Sequence, residues 1–352
     1  MLKSRHADKQ KHTVLFAGCP GQKTIRIRSW TRRDRVITPL FLFIAGLALL
    51  LLGADFLVRG ATSIGLRLGI TPLVAGLTIV AFGTSSPELA VGVDAAYRGL
   101  GDMAIGSAVG SNICNIALVL GAAALVRPIN IQSQLVRLDI PVMIFCSLLL
   151  ILVLMDGVIS TFDGVVLVGG IAIYIFFSIY LARGEQKKIQ DEFGEVVRDN
   201  LLAWWKEILL VVVGLGMLIF GGSMLVDTAV ELARGFKIAP ALIALTVIAV
   251  GTSLPELATA MLASYRRQGD IAIGNAVGSN IFNILAIVGI SALVGPLHMG
   301  AIKWPDLAVM LAVSLILIPL VISRRQLERS EGVFLLVIYF LYMLVTVQKA
   351  GF

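Results

Sequence analysis

The chain has 352 residues, of which 58% are hydrophobic and only 14% charged. That charge fraction is far below the roughly 25% of a soluble domain. Continuous apolar runs rule out a β-barrel, whose strands alternate. The formal net charge of +7 resides in the tail and the loops and gives no nucleic-acid signal. The three cysteines, Cys19, Cys114 and Cys146, have no paired spacing, so neither a disulfide framework nor a zinc site is indicated.

Residues 1–37 are polar and basic, with ten Lys or Arg, and read as a tail or as sequence upstream of the true start. A signal peptide fits poorly, because its apolar core would lie closer to the terminus. From Thr38 onward, runs of about 20 apolar residues follow one another, each long enough to cross a bilayer core of roughly 30 Å. Ten spans are expected, at 38–58, 71–96, 103–126, 138–155, 162–182, 207–233, 239–264, 271–294, 305–322 and 332–348. The longest polar connection, 183–206, carries mixed charge and divides a first five-helix repeat (38–182) from a second (207–352).

The halves are related in sequence. A shift of 168 residues lays 53–128 on 221–296 without a gap, and 28 of the 46 positions from 83–128 match those from 251–296. Five spans per half is odd, so the second half must enter the membrane from the opposite side. The expected fold is an all-α polytopic membrane protein, ten transmembrane helices in two inverted-topology repeats with discontinuous ion-binding helices. In such folds the substrate site lies at the midplane, between broken helices of the two repeats. Orientation follows from Lys and Arg: outside the tail, fourteen lie on the side of the 1–2, 3–4, 5–6, 7–8 and 9–10 connections and five on the other. The first side, with the 183–206 linker, is expected to be cytoplasmic and both termini extracytoplasmic, in a cell membrane. The tail's ten positives argue the other way, but five separate connections agree.

Span two carries Gly83-Thr84-Ser85-Ser86-Pro87-Glu88, and span seven carries Gly251-Thr252-Ser253-Leu254-Pro255-Glu256. A carboxylate at membrane depth is costly and marks a functional site by default. Pro87 has no N–H and clashes with the carbonyl four residues back, so carbonyls near Gly83 and Thr84 lose helical partners. In lipid they need new ones, and a cation is one. Thr84 and Ser85 lie four and three residues before Glu88 and share its face. Pro255, Thr252, Ser253 and Glu256 repeat the arrangement. All these donors are oxygen, which suits hard cations such as calcium, and the same oxygens suit sodium.

Spans three and eight add matched residues: Gly106, Gly110, Ser111 and Asn115 against Gly274, Gly278, Ser279 and Asn283. The structural reading of the glycines is tight helix packing. For Glu88 and Glu256 it is a hydrogen-bonded structural carboxylate, although no intramembrane Lys or Arg is evident to pair with them. Asp94 reads as an entrance residue, and Asp102 and Asp270 as helix caps. Cys114 reads as a small core residue beside the site.

Gly-Thr-Ser-x-Pro-Glu followed by Gly-Ser-Asn-Ile-x-Asn, twice and inverted, resembles the calcium/cation antiporters, and most of all the prokaryotic sodium/calcium exchangers. The resemblance covers all ten spans and excludes the tail. It implies four central helices enclosing the ions, with the first and sixth sliding against them. It implies that Glu88 and Glu256 are shared calcium ligands, completed by the carbonyls of Thr84 and Thr252. Ser85, Ser253, Ser111, Ser279 and the carbonyls of Ala81 and Ala249 would shape the sodium sites, with Asn115 and Asn283 facing the centre. Ser86 departs from the family's usual leucine. Asn283 stands where some members, potassium-dependent ones among them, have aspartate, which disfavours potassium co-transport.

Sodium/calcium antiport without a cofactor is therefore expected, the ions being substrates and the bilayer the surroundings. Proton/calcium exchange is the nearest alternative. A channel suits broken helices in inverted repeats less well. An intramembrane hydrolase would need a His or Lys base beside Ser85 or Ser253, and no span supplies one.

Overall fold

The computed structural model describes residues 34–198, 203–235, 249–300 and 302–349. Eight helices in it are long and apolar enough to cross a membrane, and a ninth does so as a bent pair. The first, α1 (Asp34–Leu68), runs about ten residues past the expected end at residue 58, carrying Arg59 and Arg67 within the helix. The second is broken into α2 (Pro72–Ala75), a π-helical segment (Gly76–Val80), α3 (Ala81–Thr84) and α4 (Ser86–Tyr97). The third comprises α5 (Gly101–Cys114), a π segment (Asn115–Leu120) and α6 (Gly121–Val126). A π turn (Leu135–Asp139) leads into α7 (Ile140–Val153).

Helix α8 (Thr161–Arg198) continues through most of the stretch expected as a polar linker, because its 3.6-residue pattern does not stop where its hydrophobicity does. Helix α9 (Trp204–Gly235) follows. Of the expected seventh span, 239–248 lie outside the described residues; the remainder forms α10 (Ala249–Gly251) and α11 (Leu254–Tyr265). Then come α12 (Gly269–Phe282), a π segment (Asn283–Val288), α13 (Gly289–Val294), α14 (Trp304–Arg324) and α15 (Arg329–Lys349).

The spans of α5–α6 and α12–α13 form the interior: 83% of the apolar window in Gly269–Val294 is buried, against 17% in Arg329–Gln348. Outer helices turn Phe41, Phe176, Trp204 and Phe340 outward, as a lipid-facing surface requires. Glycine permits the closest approaches. A Cβ on Gly278 would lie 2.5 Å from the Leu77 carbonyl, and one on Gly274 2.7 Å from that of Leu73. The packing role expected of these glycines therefore holds for Gly274 and Gly278.

A second set of glycines packs the long helices α1 and α9 antiparallel. Cβ atoms on Gly53 and Gly214 would meet each other's backbone carbonyls at 2.7 and 2.8 Å, and Gly46 and Gly221 behave alike at 3.1 and 2.8 Å. Gly46 and Gly53 match Gly214 and Gly221 under the 168-residue shift, so the Gly53–Gly214 contact is the repeat image of the Gly46–Gly221 contact. At one end of this pair, the Glu207 carboxylate accepts hydrogen bonds from Ser63 (2.7 Å) and Arg67 (2.8 and 3.0 Å).

Two short ribbons tie the halves together. β1 (Ile129–Asn130) pairs antiparallel with β4 (Gln326–Leu327), and β2 (Val158–Ile159) with β3 (Leu297–His298). In each ribbon one strand comes from either half, and Ile129↔Leu327 is the repeat image of Leu297↔Ile159.

Candidate functional site

The helix breaks where the proline dictates. The segment Pro72–Thr84 meets Ser86–Tyr97 at 47°, with Ser85 at φ −84°, ψ 3° between them. Glu88 thus falls in the first turn of α4, and Glu256 in the first turn of α11, where the positive end of the helix dipole favours a carboxylate. Helix pieces α3 and α10 end just before the two breaks, the placement by which broken helices turn carbonyl ends toward cations.

One freed carbonyl is already taken. The Ser86 hydroxyl donates to the Gly83 carbonyl, three residues back. One of the carbonyls freed near Gly83 and Thr84 thus has a partner within the chain, which gives Ser86 a structural role that leucine could not fill. The Ala81 carbonyl accepts the Ser85 amide at 3.0 Å and the Thr84 hydroxyl at 3.5 Å. In the second copy the turn is tighter: the Ser253 amide reaches Val250, three residues back.

The two carboxylates are brought together. Glu88 and Glu256 are buried, 2% and 1% exposed, and lie near enough to repel one another when charged. The Ser85 hydroxyl donates across the repeat boundary to Glu256 Oε1 at 3.4 Å. Neither oxygen of Glu88, nor Glu256 Oε2, has a well-formed hydrogen bond. The Ser253 and Ser279 hydroxyls and the Oδ1 atoms of Asn115 and Asn283 are likewise buried without partners. Thr84 and Ser111 are buried and Thr252 half-buried. Asn115 and Asn283 each open a π segment, a local unwinding often found at functional positions.

A buried polar atom without a partner costs free energy comparable to a lost hydrogen bond, and more when charged. A cluster of such oxygens, two of them from carboxylates, is the donor set of a hard cation. Among the described residues no group of three or more His, Cys, Asp or Glu could hold a metal ion by itself, so the two carboxylates would need the hydroxyl, amide and carbonyl oxygens around them. Cys114 lies against Ser253 and Tyr339, buried, at the edge of the cluster.

Several residues prove more or less important than sequence suggested. Asp94 pairs with Arg98 at 2.8 Å on an exposed face, with side chains 58% and 65% exposed. Asp102 and Asp270 do not cap their helices; Leu100 and Gln268 hold the cap positions. Asp102 accepts its neighbour's amide, and Asp270 accepts Gln132 at 2.8 Å. Asn275 escaped notice because its repeat counterpart is Ser107, yet its Oδ1 accepts the Thr84 hydroxyl at 3.1 Å. Asn112 and Asn280, inside the repeated Gly-Ser-Asn, were not singled out either. They cross-link the central helices, each donating to the other's backbone carbonyl at 3.3 and 3.1 Å.

The family model for sodium/calcium exchanger proteins matches the chain twice, at residues 38–180 and 206–348. Over 306 residues the chain is 38% identical to the putative antiporter CaxA of Alkalimonas amylolytica, covering 85% of this chain and 95% of that protein. It is 30% identical over 346 residues to the sodium/calcium exchanger MaX1 of Methanosarcina acetivorans, covering 88% and 99% of the two chains. The structure of the sodium-calcium exchanger NCX_Mj soaked with Na+ and Ca2+ superposes with a TM-score of 0.74 at 31% identity, over 87% of this chain and 97% of that one.

Proposed function

The chain belongs to the sodium/calcium exchanger family, and on that premise we propose that it exchanges Na+ for Ca2+ across a cell membrane by alternating access. The observation that carries the reading is the buried, partnerless oxygen cluster around Glu88 and Glu256. Glu88 and Glu256 hold calcium jointly, with the carbonyls of Thr84 and Thr252. Ser85, Ser253, Ser111 and Ser279, with the Ala81 and Ala249 carbonyls, hold sodium, and Asn115 and Asn283 face the centre. The ions are the substrates, and no cofactor takes part.

The architecture in this reading is ten spans in two inverted five-helix repeats, 38–182 and 207–352, behind a basic tail at 1–37. The 183–206 connection is cytoplasmic and the termini are extracytoplasmic. Two ribbons built from repeat-related residues, and a glycine-packed α1–α9 pair that maps onto itself, support that symmetry.

Sodium and calcium compete because they need the same oxygens. The empty cluster carries uncompensated carboxylate charge, which is costly to move through low dielectric, so only a loaded site passes readily between the two faces. An inward sodium gradient then drives calcium out.

The test is uptake of radioactive calcium into sodium-loaded proteoliposomes, diluted into sodium-free or sodium-matched buffer with a proton ionophore in both. Uptake is expected to need the sodium gradient and to vanish in Glu256→Gln. Uptake indifferent to sodium but driven by an imposed pH gradient would identify a proton/calcium exchanger instead.

A further inference from the structure

The repeated Gly-Ser-Asn places Asn112 and Asn280 at equivalent positions, yet the two do unequal work. Both are buried, 1% exposed, and both brace the opposite helix by donating Nδ2 to its backbone. Both amides also face a methionine sulfur, Asn112 that of Met310 at 3.8 Å and Asn280 that of Met143 at 3.7 Å. To this point the two do equivalent work, although the methionines come from non-equivalent positions, Met310 falling on Val142 under the 168-residue shift.

They differ at their oxygens. Asn112 Oδ1 accepts a hydrogen bond from Asn283 Nδ2 at 2.9 Å. Asn280 Oδ1 has no partner, so the mirror bond from Asn115 is not made. An asparagine amide carries its donor and acceptor on opposite edges. With Asn283 Nδ2 held by Asn112, Asn283 Oδ1 is left buried and partnerless, one helical turn beyond Ser279. The π segment that Asn283 opens packs on α4, whose first turn carries Glu88.

We propose that Asn112 is a positioning residue: by holding the amide nitrogen of Asn283, it fixes that side chain with oxygen rather than NH2 toward the cation. This rests on the oxygen cluster being the cation site and deepens that reading. The alternative orientation is unfavourable for transport. An unheld Asn283 would turn its NH2 to the partnerless carboxylates, forming charge-assisted hydrogen bonds. A cation would then meet a donor where it needs an acceptor, and would have to displace it.

The test is equilibrium binding of radioactive calcium to the full-length protein in detergent, with sodium as competitor. Asn112→Leu keeps the volume but removes the acceptor, and is expected to weaken the apparent calcium and sodium affinities about tenfold, the equivalent of one such hydrogen bond. Asn280→Leu removes the mirror brace but no ligand's partner, and is expected to change them less than about twofold. In an Asn283→Asp background both terminal atoms are oxygens, so Asn112→Leu is expected to lose its effect on affinity. Asn112→Ser, which also cannot reach Asn283, serves if the leucine variant does not fold.

Equal losses in Asn112→Leu and Asn280→Leu would reduce Asn112 to a helix brace and overturn the proposal. So would a tenfold loss that persists with Asn283→Asp. Absence of sodium-displaceable calcium binding in the unmodified protein would overturn the exchanger reading together with this one. A normal unmodified protein with the wrong variant pattern sinks only this inference.

Discussion

Two buried glutamates of this protein resemble each other in everything but their partners. Glu207 is 1% exposed and Glu88 is 2% exposed. Glu207 accepts three hydrogen bonds, from Ser63 and the Arg67 guanidinium, and fastens α9 to α1. Glu88 accepts none that is well formed, and its nearest charged neighbour is another carboxylate. A buried charge must be paired with something. Glu207 is paired by the protein, whereas both oxygens of Glu88 and Oε2 of Glu256 have no hydrogen-bond partner in the chain, as the proposed cation site requires. The hydrogen-bonded structural carboxylate considered for Glu88 and Glu256 thus describes Glu207, whereas among the carboxylate oxygens at the site only Glu256 Oε1 has a hydrogen-bond partner, the Ser85 hydroxyl.

The contrast breaks most sharply through neutralisation. Glu88→Gln should abolish calcium exchange, a loss of at least about 100-fold in sodium-dependent uptake, while leaving thermal stability in sodium- and calcium-free detergent equal or higher, because an unpaired buried charge has been removed. A Glu88→Gln protein that exchanges calcium normally would end the assignment.

Arg67→Ala should do the reverse. It leaves the buried Glu207 carboxylate with only Ser63, so the protein should unfold at a lower temperature, by less than a fully buried pair would cost because the Arg67 side chain is 39% exposed. Calcium affinity of the folded fraction should be unchanged.

Next in size, Gly53→Val places a side chain where even a Cβ would sit 2.7 Å from the Gly214 carbonyl. Forcing α1 and α9 apart should cost about 1–3 kcal/mol in thermal unfolding. If that helix pair moves as a unit, the transport rate should fall while calcium affinity does not. Smallest is Ser86→Ala, which deprives the Gly83 carbonyl of its hydroxyl partner. About 1 kcal/mol of stability is expected to be lost. Leu254→Ala, at the matching position, would show how much of any effect is packing alone.

Sequence by itself determined the class of molecule, the doubled motif and the residues that carry it. These follow from local rules: run length against bilayer thickness, proline against helix, and a carboxylate against lipid. It placed all of Glu88, Glu256, Ser85, Ser253, Asn115 and Asn283 correctly in the buried interior, because the repeat names each residue twice.

Only the tertiary structure decided what each polar group touches. The helical course of 183–198 overrides a compositional boundary, since hydrogen bonding within a helix is indifferent to a fall in hydrophobicity. The glycines of α1 and α9 acquire meaning only once the two helices are set antiparallel and in contact. The ribbons β1–β4 and β2–β3 are two residues per strand, too short for any periodicity to announce. Above all, a repeat in sequence predicts equivalence, yet Asn112 holds Asn283 while Asn280 holds no counterpart, and Ser85 reaches Glu256 while Ser253 Oγ has no partner. Matching motifs break both helices at the same place, but the detailed backbone and the side-chain partners depend on neighbours from the other half, and those neighbours are not the same.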